Sequence, residues 1–256
     1  MINLKNKVAI ITGGSRGIGR ACVKYFAEAG CDVAFTYNKS KDAAEKLIDE
    51  LGYTNRKIKA YKCSFDNDVE AEKQIVKIVK DIANEFGRID ILVNNAGIWE
   101  YGEADTMTLE NWNRTMTINV TGTMLFTREV IPHMKKLNGG KIIIITSTAG
   151  QRGEAFHSHY AASKGALISY VKSLSTELAP YKILVNSVAP GWVDTEMCYP
   201  VFNDINYKEQ VRESIPLKKI ATPEDIAGPV LFLASDLANH ITGEILNVNG
   251  GSVLCG

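Results

Sequence analysis

The decapeptide ITGGSRGIGR, residues 11–20, decides how this 256-residue chain folds. The apolar run at residues 8–11 leads into it and predicts a buried strand. Apolar residues at helical spacing follow, and they predict a helix over 17–29 that ends at Gly30. Glycines between a strand and a helix let the backbone approach a ligand, and the helix N-terminus presents free N–H groups to an anion. The stretch therefore predicts a strand–turn–helix unit that binds a pyrophosphate.

The rest of the chain repeats the alternation of strand and helix. Continuously apolar strands alternating with helices predict a parallel sheet covered on both faces, without a linker, within one α/β domain over 1–256. We predict strands at 8–11, 32–37, 58–63, 89–93, 141–146, 183–189 and 245–248. We predict helices at 17–29, 41–51, 69–86, 108–116, 119–136, 158–178 and after the Thr222-Pro223-Glu224 cap signal.

Composition excludes several classes of function. The 29 basic and 29 acidic residues cancel, so net charge gives no case for binding nucleic acid or an anionic membrane. No apolar run approaches the roughly 20 residues of a membrane span, and the N-terminus does not resemble a signal peptide. The five cysteines include no C-x-x-C pair, which argues against a metal site or a disulfide framework. We expect a soluble cytoplasmic protein.

Six short motifs occur in a fixed order along the chain. The glycines are spaced G-x-x-x-G-x-G, NNAG stands at 94–97, and TINV contains Asn119. TSTAG contains Ser147, YAASK contains Tyr160 and Lys164, and a Pro-Gly pair stands at 190–191. Together they resemble the short-chain dehydrogenases/reductases over nearly the whole chain. The resemblance implies a doubly wound Rossmann fold, a mostly seven-stranded parallel sheet and a nicotinamide cofactor.

Tyr160 and Lys164 are four residues apart, so they share one face of a helix. A phenol has a pKa near ~10 and is a weak catalyst at neutral pH, but a nearby ammonium lowers that pKa. The resemblance implies that Tyr160 is the general acid or base and that Lys164 holds the nicotinamide ribose and tunes Tyr160. It implies that Ser147 bonds the substrate oxygen and that Asn119 anchors a water linking Lys164 to solvent. An alternative for Asn119 is a buried side chain that satisfies the backbone at a helix break.

The second strand ends in FTYNKS and carries no acidic residue at the position that bonds the ribose 2′-hydroxyl in NAD enzymes. Arg16 and Asn38 therefore predict a preference for NADP(H), assisted by Lys39 or Ser40, although lysines here also suit a solvated cluster. The resemblance implies cofactor contacts from Gly13, Ser15, Arg16, Gly17, Ile18, Gly19, Asn38, Lys39, Ser64, Phe65, Asn95, Ala96, Gly97, Tyr160, Lys164, Pro190, Gly191, Val193 and Thr195.

The adenine contact has two candidate positions. The family carries Asp-Val after its third strand, whereas this chain reads CSFDNDV at 63–69. Counting forward from the glycines selects Ser64-Phe65, and counting back from Asn94 selects Asp68-Val69. We favour Ser64-Phe65, because they follow the strand directly.

The identity of the substrate is what the sequence determines least. The motifs most resemble the 3-oxoacyl-(acyl carrier protein) reductases, but sugar, polyol and small-ketone dehydrogenases share most of them. We expect a lid at about 195–215, aromatic walls from Trp99, Tyr101 and Trp192, and a substrate contact at His157. An acidic acyl carrier protein would dock on basic residues, with Arg128, Lys135, Lys136 and Lys172 as candidates.

Two further expectations follow from the resemblance. Family members usually form tetramers, here through helices at about 106–136 and 158–178 and through the C-terminal strand. A non-catalytic dinucleotide-binding protein on the same fold is the alternative of another class, and the presence of Tyr160 and Lys164 argues against it.

Overall fold

The computed structural model describes residues 2–65 and 68–254. Its strands form one parallel sheet in the order β3-β2-β1-β4-β5-β6-β7, which confirms the predicted fold class. Strand order reverses between β1 and β4, so the carboxyl ends of these two strands flank the crevice where such sheets bind ligands. The strands are β1 (Val8–Ile11), β2 (Asp32–Tyr37), β3 (Ile58–Lys62), β4 (Ile91–Asn94), β5 (Gly140–Ile145), β6 (Ile183–Pro190) and β7 (Ile245–Val248).

Helices cover both faces of the sheet. One hydrophobic cluster contains Phe26, Phe35 and Val230, and a second contains Ile10, Phe126 and Leu167. Side chains of alternate parity on β1 enter the two clusters, so each strand is buried on both sides. The helices are α1 (Gly17–Glu28), α2 (Lys41–Glu50), α3 (Asp68–Phe86), α4 (Leu109–Met116), α5 (Gly122–Lys136), α6 (Ala149–Arg152), α7 (Ser158–Leu178), α8 (Tyr199–Phe202), α9 (Ile205–Ser214) and α10 (Pro223–Ala234).

Two segments differ from the predicted pattern. The helices predicted at 108–116 and 119–136 are joined by a π-helical turn, Thr117–Thr121, so the chain stays helical between them. The segment after β6 contains α8 and α9, where the sequence predicted only a lid. Phe202, Val211 and Ile215 form a small separate core there, and Trp192 packs against it.

No helix of the described residues is long and apolar enough to cross a membrane. Four cysteines are buried free thiols, Cys22, Cys31, Cys63 and Cys198, and Cys255 lies outside the described residues. Within 2–65 and 68–254, no three His, Cys, Asp or Glu side chains group as metal ligands.

β4 begins at Ile91, two residues after its predicted start, and Asp90 lies directly before it. Its buried carboxylate accepts a hydrogen bond from the Val8 N–H at 2.9 Å, and Arg88 pairs with it at 2.5 Å. The side chain and the backbone N–H of Asp90 thus fix the beginning of β1 beside β4.

Replacing this carboxylate should weaken the sheet. We expect Asp90→Ala to lower the free energy of unfolding by about 1–3 kcal/mol, because the buried Val8 N–H loses its acceptor. Arg88→Ala removes only the partly exposed ion pair and should cost less than about 1 kcal/mol. Urea unfolding of both variants measures the difference, and equal losses would contradict this role for Asp90.

Candidate active site

The glycine turn lies between β1 and α1 at the carboxyl edge of the sheet. Gly13 has a φ of +66°, in the left-handed region that favours glycine. A Cβ on Gly19 would lie 2.2 Å from the carbonyl oxygen of Gly13, so only glycine lets the helix approach the strand this closely. At the start of α1, Arg16 has extended backbone, and its side chain makes no capping hydrogen bond to the described residues. The helix N-terminus therefore keeps free N–H groups for an anion.

Hydrogen bonds from two neighbouring strands fix the turn. The Thr12 hydroxyl accepts from the backbone N–H groups of Asn95 and Ala96, each at 2.9 Å. The Asn95 amide donates to the carbonyl oxygens of Thr12 and Gly13 at 2.9 and 3.2 Å. The Gly13 N–H donates to the Thr36 hydroxyl at 3.1 Å. The NNAG motif thus positions the turn as well as lining the site.

One continuous cleft of about 450 Å³ runs along this edge. Gly19 and Ser64 lie outside its lining: Gly19 packs on Gly13, and the Ser64 N–H donates to the Gln74 side chain at 3.1 Å. The other predicted cofactor residues line the cleft together: Gly13, Ser15, Arg16, Gly17, Ile18, Asn38, Lys39, Phe65, Asn95, Ala96, Gly97, Tyr160, Lys164, Pro190, Gly191, Val193 and Thr195.

The cofactor end of the cleft fits a dinucleotide. The uncapped helix N-terminus faces the cleft, and Gly13 and Gly19 leave room for a close approach to it. Arg16, Asn38 and Lys39 are exposed at its rim, and Ser40 also lines it. No carboxylate stands among 37–41 at the end of β2. This donor set suits a phosphate on the adenosine ribose.

Phe65 and Cys63 line the part of the cleft that follows β3. Phe65 is held against the backbone at Gly122, where a Cβ would lie 2.4 Å from the ring. Asp68 and Val69 are exposed in the first turn of α3, outside the cleft lining. Of the two candidate adenine positions, the structure brings the forward-counted one, through Phe65, to the cleft.

The three catalytic candidates converge at the cleft from two elements. Ser147 follows β5, and Tyr160 and Lys164 lie on adjacent turns of α7. The Ser147 hydroxyl accepts from the Ala149 N–H at 3.0 Å and hydrogen-bonds the Tyr160 phenol. The Lys164 ammonium donates to the carbonyl oxygen of Ile145 at 2.7 Å and lies 5.7 Å from the centre of the Tyr160 ring. An acid–base pair and a hydroxyl thus share one side of the cleft.

Burial determines how these groups titrate in this structure. It raises the pKa of Tyr160 above its usual value, an effect opposed by the hydrogen bond from Ser147 and reinforced by Glu154 and Cys198. Burial also lowers the pKa of Lys164 to about 8. The expectation that Lys164 lowers the pKa of Tyr160 is not met here, because desolvation is the larger effect. Both groups are shifted towards their neutral forms.

Asn119 is fully buried in the π-helical turn and lies outside the cleft lining. Its amide oxygen accepts from the Ile98 N–H at 2.9 Å. Its amide nitrogen donates to the Ile98 carbonyl at 3.1 Å and to the Ser163 hydroxyl at 3.0 Å. Asn119 is thus a buried side chain that satisfies backbone groups, as in the alternative weighed from the sequence, but these groups belong to Ile98 in the loop after β4 and the helix does not break at Asn119.

Side chains from three loops form the substrate end of the cleft. Trp99 and Trp192 line it as expected, whereas Tyr101 and His157 lie outside the lining. The His157 ring stacks behind Trp99 at 4.1 Å. Its neighbour His159 is fully buried in the first turn of α7. Sequence reasoning missed Arg114, Arg152 and Glu154, which line the cleft without belonging to a motif. Met197 and Cys198 also line it, from the segment expected to form the lid.

Comparisons with known proteins agree with this geometry. A family model described as enoyl-(acyl carrier protein) reductase matches residues 13–252. The chain is 39% identical over 253 residues to a 3-oxoacyl-[acyl-carrier-protein] reductase FabG of Aquifex aeolicus, covering 98% of each. It is 38% identical over 250 residues to the protein of that name from Vibrio cholerae, again covering 98% of each.

Solved structures also match over nearly the whole chain. One from Beutenbergia cavernae, provisionally described as an NAD(P)-dependent gluconate 5-dehydrogenase with NADP bound at low occupancy, has 30% identity, a TM-score of 0.91 and 98% coverage of both chains. A provisionally described short-chain alcohol dehydrogenase from Sinorhizobium meliloti has 29% identity and a TM-score of 0.91, covering 98% of this chain and 97% of its own.

Fold and site together define a nicotinamide-dinucleotide-dependent oxidoreductase that acts on carbonyl or hydroxyl groups. The chain belongs to the short-chain dehydrogenase/reductase family.

The buried Lys164 should make stability depend on pH. Its pKa is about 8 in the folded chain against a usual 10.5, so the folded state holds the proton less tightly. Burying the charged ammonium lowers the free energy of unfolding by its full amount below about pH 8, and this destabilisation disappears as the pH rises to 10.5. Relative to Lys164→Met, the wild type should gain about 3 kcal/mol of unfolding free energy across that interval. Denaturant unfolding of both proteins without cofactor measures this, and parallel pH curves would contradict it.

Proposed function

We propose that this protein reduces the 3-oxo group of an acyl thioester to a 3-hydroxyl group with NADPH. The observation that carries the proposal is the convergence of Ser147, Tyr160 and Lys164 on the cleft that begins at the glycine turn. The names of the Aquifex and Vibrio relatives support the thioester as substrate.

The residues of this chain have separable roles in the reduction. The glycine turn and the α1 N-terminus hold the pyrophosphate, and the bound dinucleotide supplies the hydride that reaches the carbonyl carbon. Ser147 donates a hydrogen bond to the carbonyl oxygen, and Tyr160 delivers the proton that this oxygen takes up. Burial raises the pKa of the Tyr160 phenol, which favours the neutral form that a proton donor requires. Carbon gains the hydride and oxygen gains the proton, so the product is the alcohol.

Lys164 and Asn119 complete the proposed proton path. Lys164 holds the nicotinamide ribose and, with a pKa near 8, gives up a proton readily near neutral pH. Asn119 holds the loop after β4 against α7 through Ile98 and Ser163, and we assign it the water that reconnects Lys164 with solvent. Removing Asn119 therefore affects both packing and proton return.

We further propose NADPH over NADH, with Arg16 and Asn38 holding the 2′-phosphate and Lys39 or Ser40 assisting. The NADP in the Beutenbergia structure supports this choice. The proposal includes a cytoplasmic homotetramer and a substrate lid at 195–215 that contains α8 and α9.

An acyl carrier protein is the proposed partner. Of its candidate docking residues, Arg128 is paired with Glu72 and Glu129, and Lys135 lies 3.9 Å above the Tyr181 ring. Docking on Arg128 would therefore compete with ion pairs inside the chain.

A second candidate is the interconversion of a sugar acid or polyol with its ketone. One observation favours it, the presence of Arg152 and Glu154 at the substrate end of the cleft, where they can bond substrate hydroxyl or carboxylate groups. Oxidation of gluconate with NADP⁺ and NAD⁺ tests this candidate in the same assay.

The direct test is oxidation of NADPH with 3-oxobutanoyl N-acetylcysteamine thioester. Tyr160→Phe should lower kcat by about 10²-fold or more, because the proton donor is lost, while the Kd for NADPH changes little. Leu109→Ala, an exposed change on α4, serves as the control. Turnover unaffected by Tyr160→Phe would contradict the assigned chemistry, and turnover of gluconate alone would replace the thioester as substrate.

Asn38→Asp tests the choice of cofactor at nearly constant side-chain size. A carboxylate here repels a 2′-phosphate and accepts from a 2′-hydroxyl, so the ratio of kcat/KM for NADPH to that for NADH should fall at least about tenfold. Steady-state kinetics with both cofactors measures the ratio. An unchanged ratio would show that Asn38 does not face the phosphate.

A further inference from the structure

An aromatic contact closes the substrate end of the cleft. Trp99 follows β4 and Trp192 follows β6, and their ring centres lie 5.7 Å apart with the planes at 84°. Both rings line the cleft that contains Ser147 and Tyr160. They therefore form the wall that the part of a substrate beyond the carbonyl meets.

Other side chains hold both tryptophans in place from behind. Trp192 contacts Phe202 at 5.4 Å and Tyr207 at 6.4 Å, both on the segment after β6. The Trp99 ring stacks on His157 at 4.1 Å with the planes at 4°. The Trp99 indole N–H also donates to a Glu154 carboxylate oxygen at 3.4 Å. Trp99 must break contacts with the residues before α7, and Trp192 must break contacts with α8 and α9, before either ring can turn away.

The gap between the Trp99 and Trp192 rings is too narrow for an alkyl chain. A methylene group needs about 3.5–4.0 Å to the carbon atoms on each side, so a chain between two walls requires about 7–8 Å. Edge-to-face rings with centres 5.7 Å apart leave much less than this. Arg152 and Met197, by contrast, are exposed where they line the cleft, so the cleft is open to solvent at these side chains.

We propose that the Trp99–Trp192 contact makes this enzyme selective for short acyl groups, with the tail beyond the reacting carbonyl limited to a few carbons. The proposal rests on the proposed 3-oxoacyl thioester reductase function and adds its substrate class. Trp99 and Trp192 are the residues that determine the limit, and Glu154 positions Trp99.

The test compares chain lengths in the wild type and in Trp99→Ala. With N-acetylcysteamine thioesters, wild-type kcat/KM should fall at least about tenfold from 3-oxobutanoyl to 3-oxododecanoyl, since the pocket cannot accept the added methylenes. Trp99→Ala should lower the ratio of kcat/KM for the short substrate to kcat/KM for the long one, mainly by raising kcat/KM for the long substrate. Trp99→Phe should keep a ratio close to that of the wild type. Tyr101→Ala removes an exposed ring of the same cluster outside the cleft lining and should leave the ratio unchanged.

Ethyl 3-oxobutanoate and ethyl 3-oxododecanoate carry the same tails without the thioester. Reduction of the short ester alone, with no thioester turned over, would contradict the proposed function and still support the tail limit. Equal kcat/KM for short and long substrates in the wild type would overturn the inference. The inference would also be overturned if kcat/KM fell steeply with chain length in the wild type and fell just as steeply in Trp99→Ala, provided that circular dichroism shows this variant to be folded.

Discussion

The attachment of the glycine turn to β4 is the constraint on which the site depends. Strands β1 and β4 are neighbours in the sheet, and the strand order reverses between them. Thr12 and Asn95 join their carboxyl ends through four hydrogen bonds between side chain and backbone. These bonds place the glycine turn beside the loop that follows β4. Because Asn119 ties that same loop to α7 through Ile98 and Ser163, hydrogen bonds connect the glycine turn with α7.

Burial determines how Tyr160 and Lys164, the proposed acid–base pair, exchange protons. Without a bound cofactor the phenol and the amine are both shifted towards neutrality by desolvation, and Ser147 alone favours the tyrosinate. A proton donor for carbonyl reduction must start neutral, so the site suits that direction. The positive nicotinamide of an oxidised cofactor favours the tyrosinate, which is the form that alcohol oxidation requires. The chemistry of each direction thus depends on which cofactor form is present.

Sequence patterns predicted the seven-stranded parallel sheet and the helix that carries Tyr160 and Lys164, because both depend on local periodicity. They placed the start of β4 two residues early and did not reveal that the Asp90 carboxylate accepts from the Val8 N–H, a partner 82 residues away. The π-helical turn at Asn119 depends on contacts with Ile98 and Ser163, which no local pattern encodes. The substrate end was least predictable: Glu154 and Cys198 reach the cleft only because loops after different strands converge there.

The central claim is that the cofactor and the proposed catalytic residues lie at the same edge of the sheet. A crystal structure of the protein with NADP⁺ bound tests this claim most directly. The account predicts the pyrophosphate at the N-terminus of α1, the 2′-phosphate within hydrogen-bonding distance of Arg16 and Asn38, and the nicotinamide ribose on Lys164. The hydrogen bonds between Thr12 and Asn95 should remain as they are here. A dinucleotide bound elsewhere, or a nicotinamide ring remote from Tyr160, would contradict it.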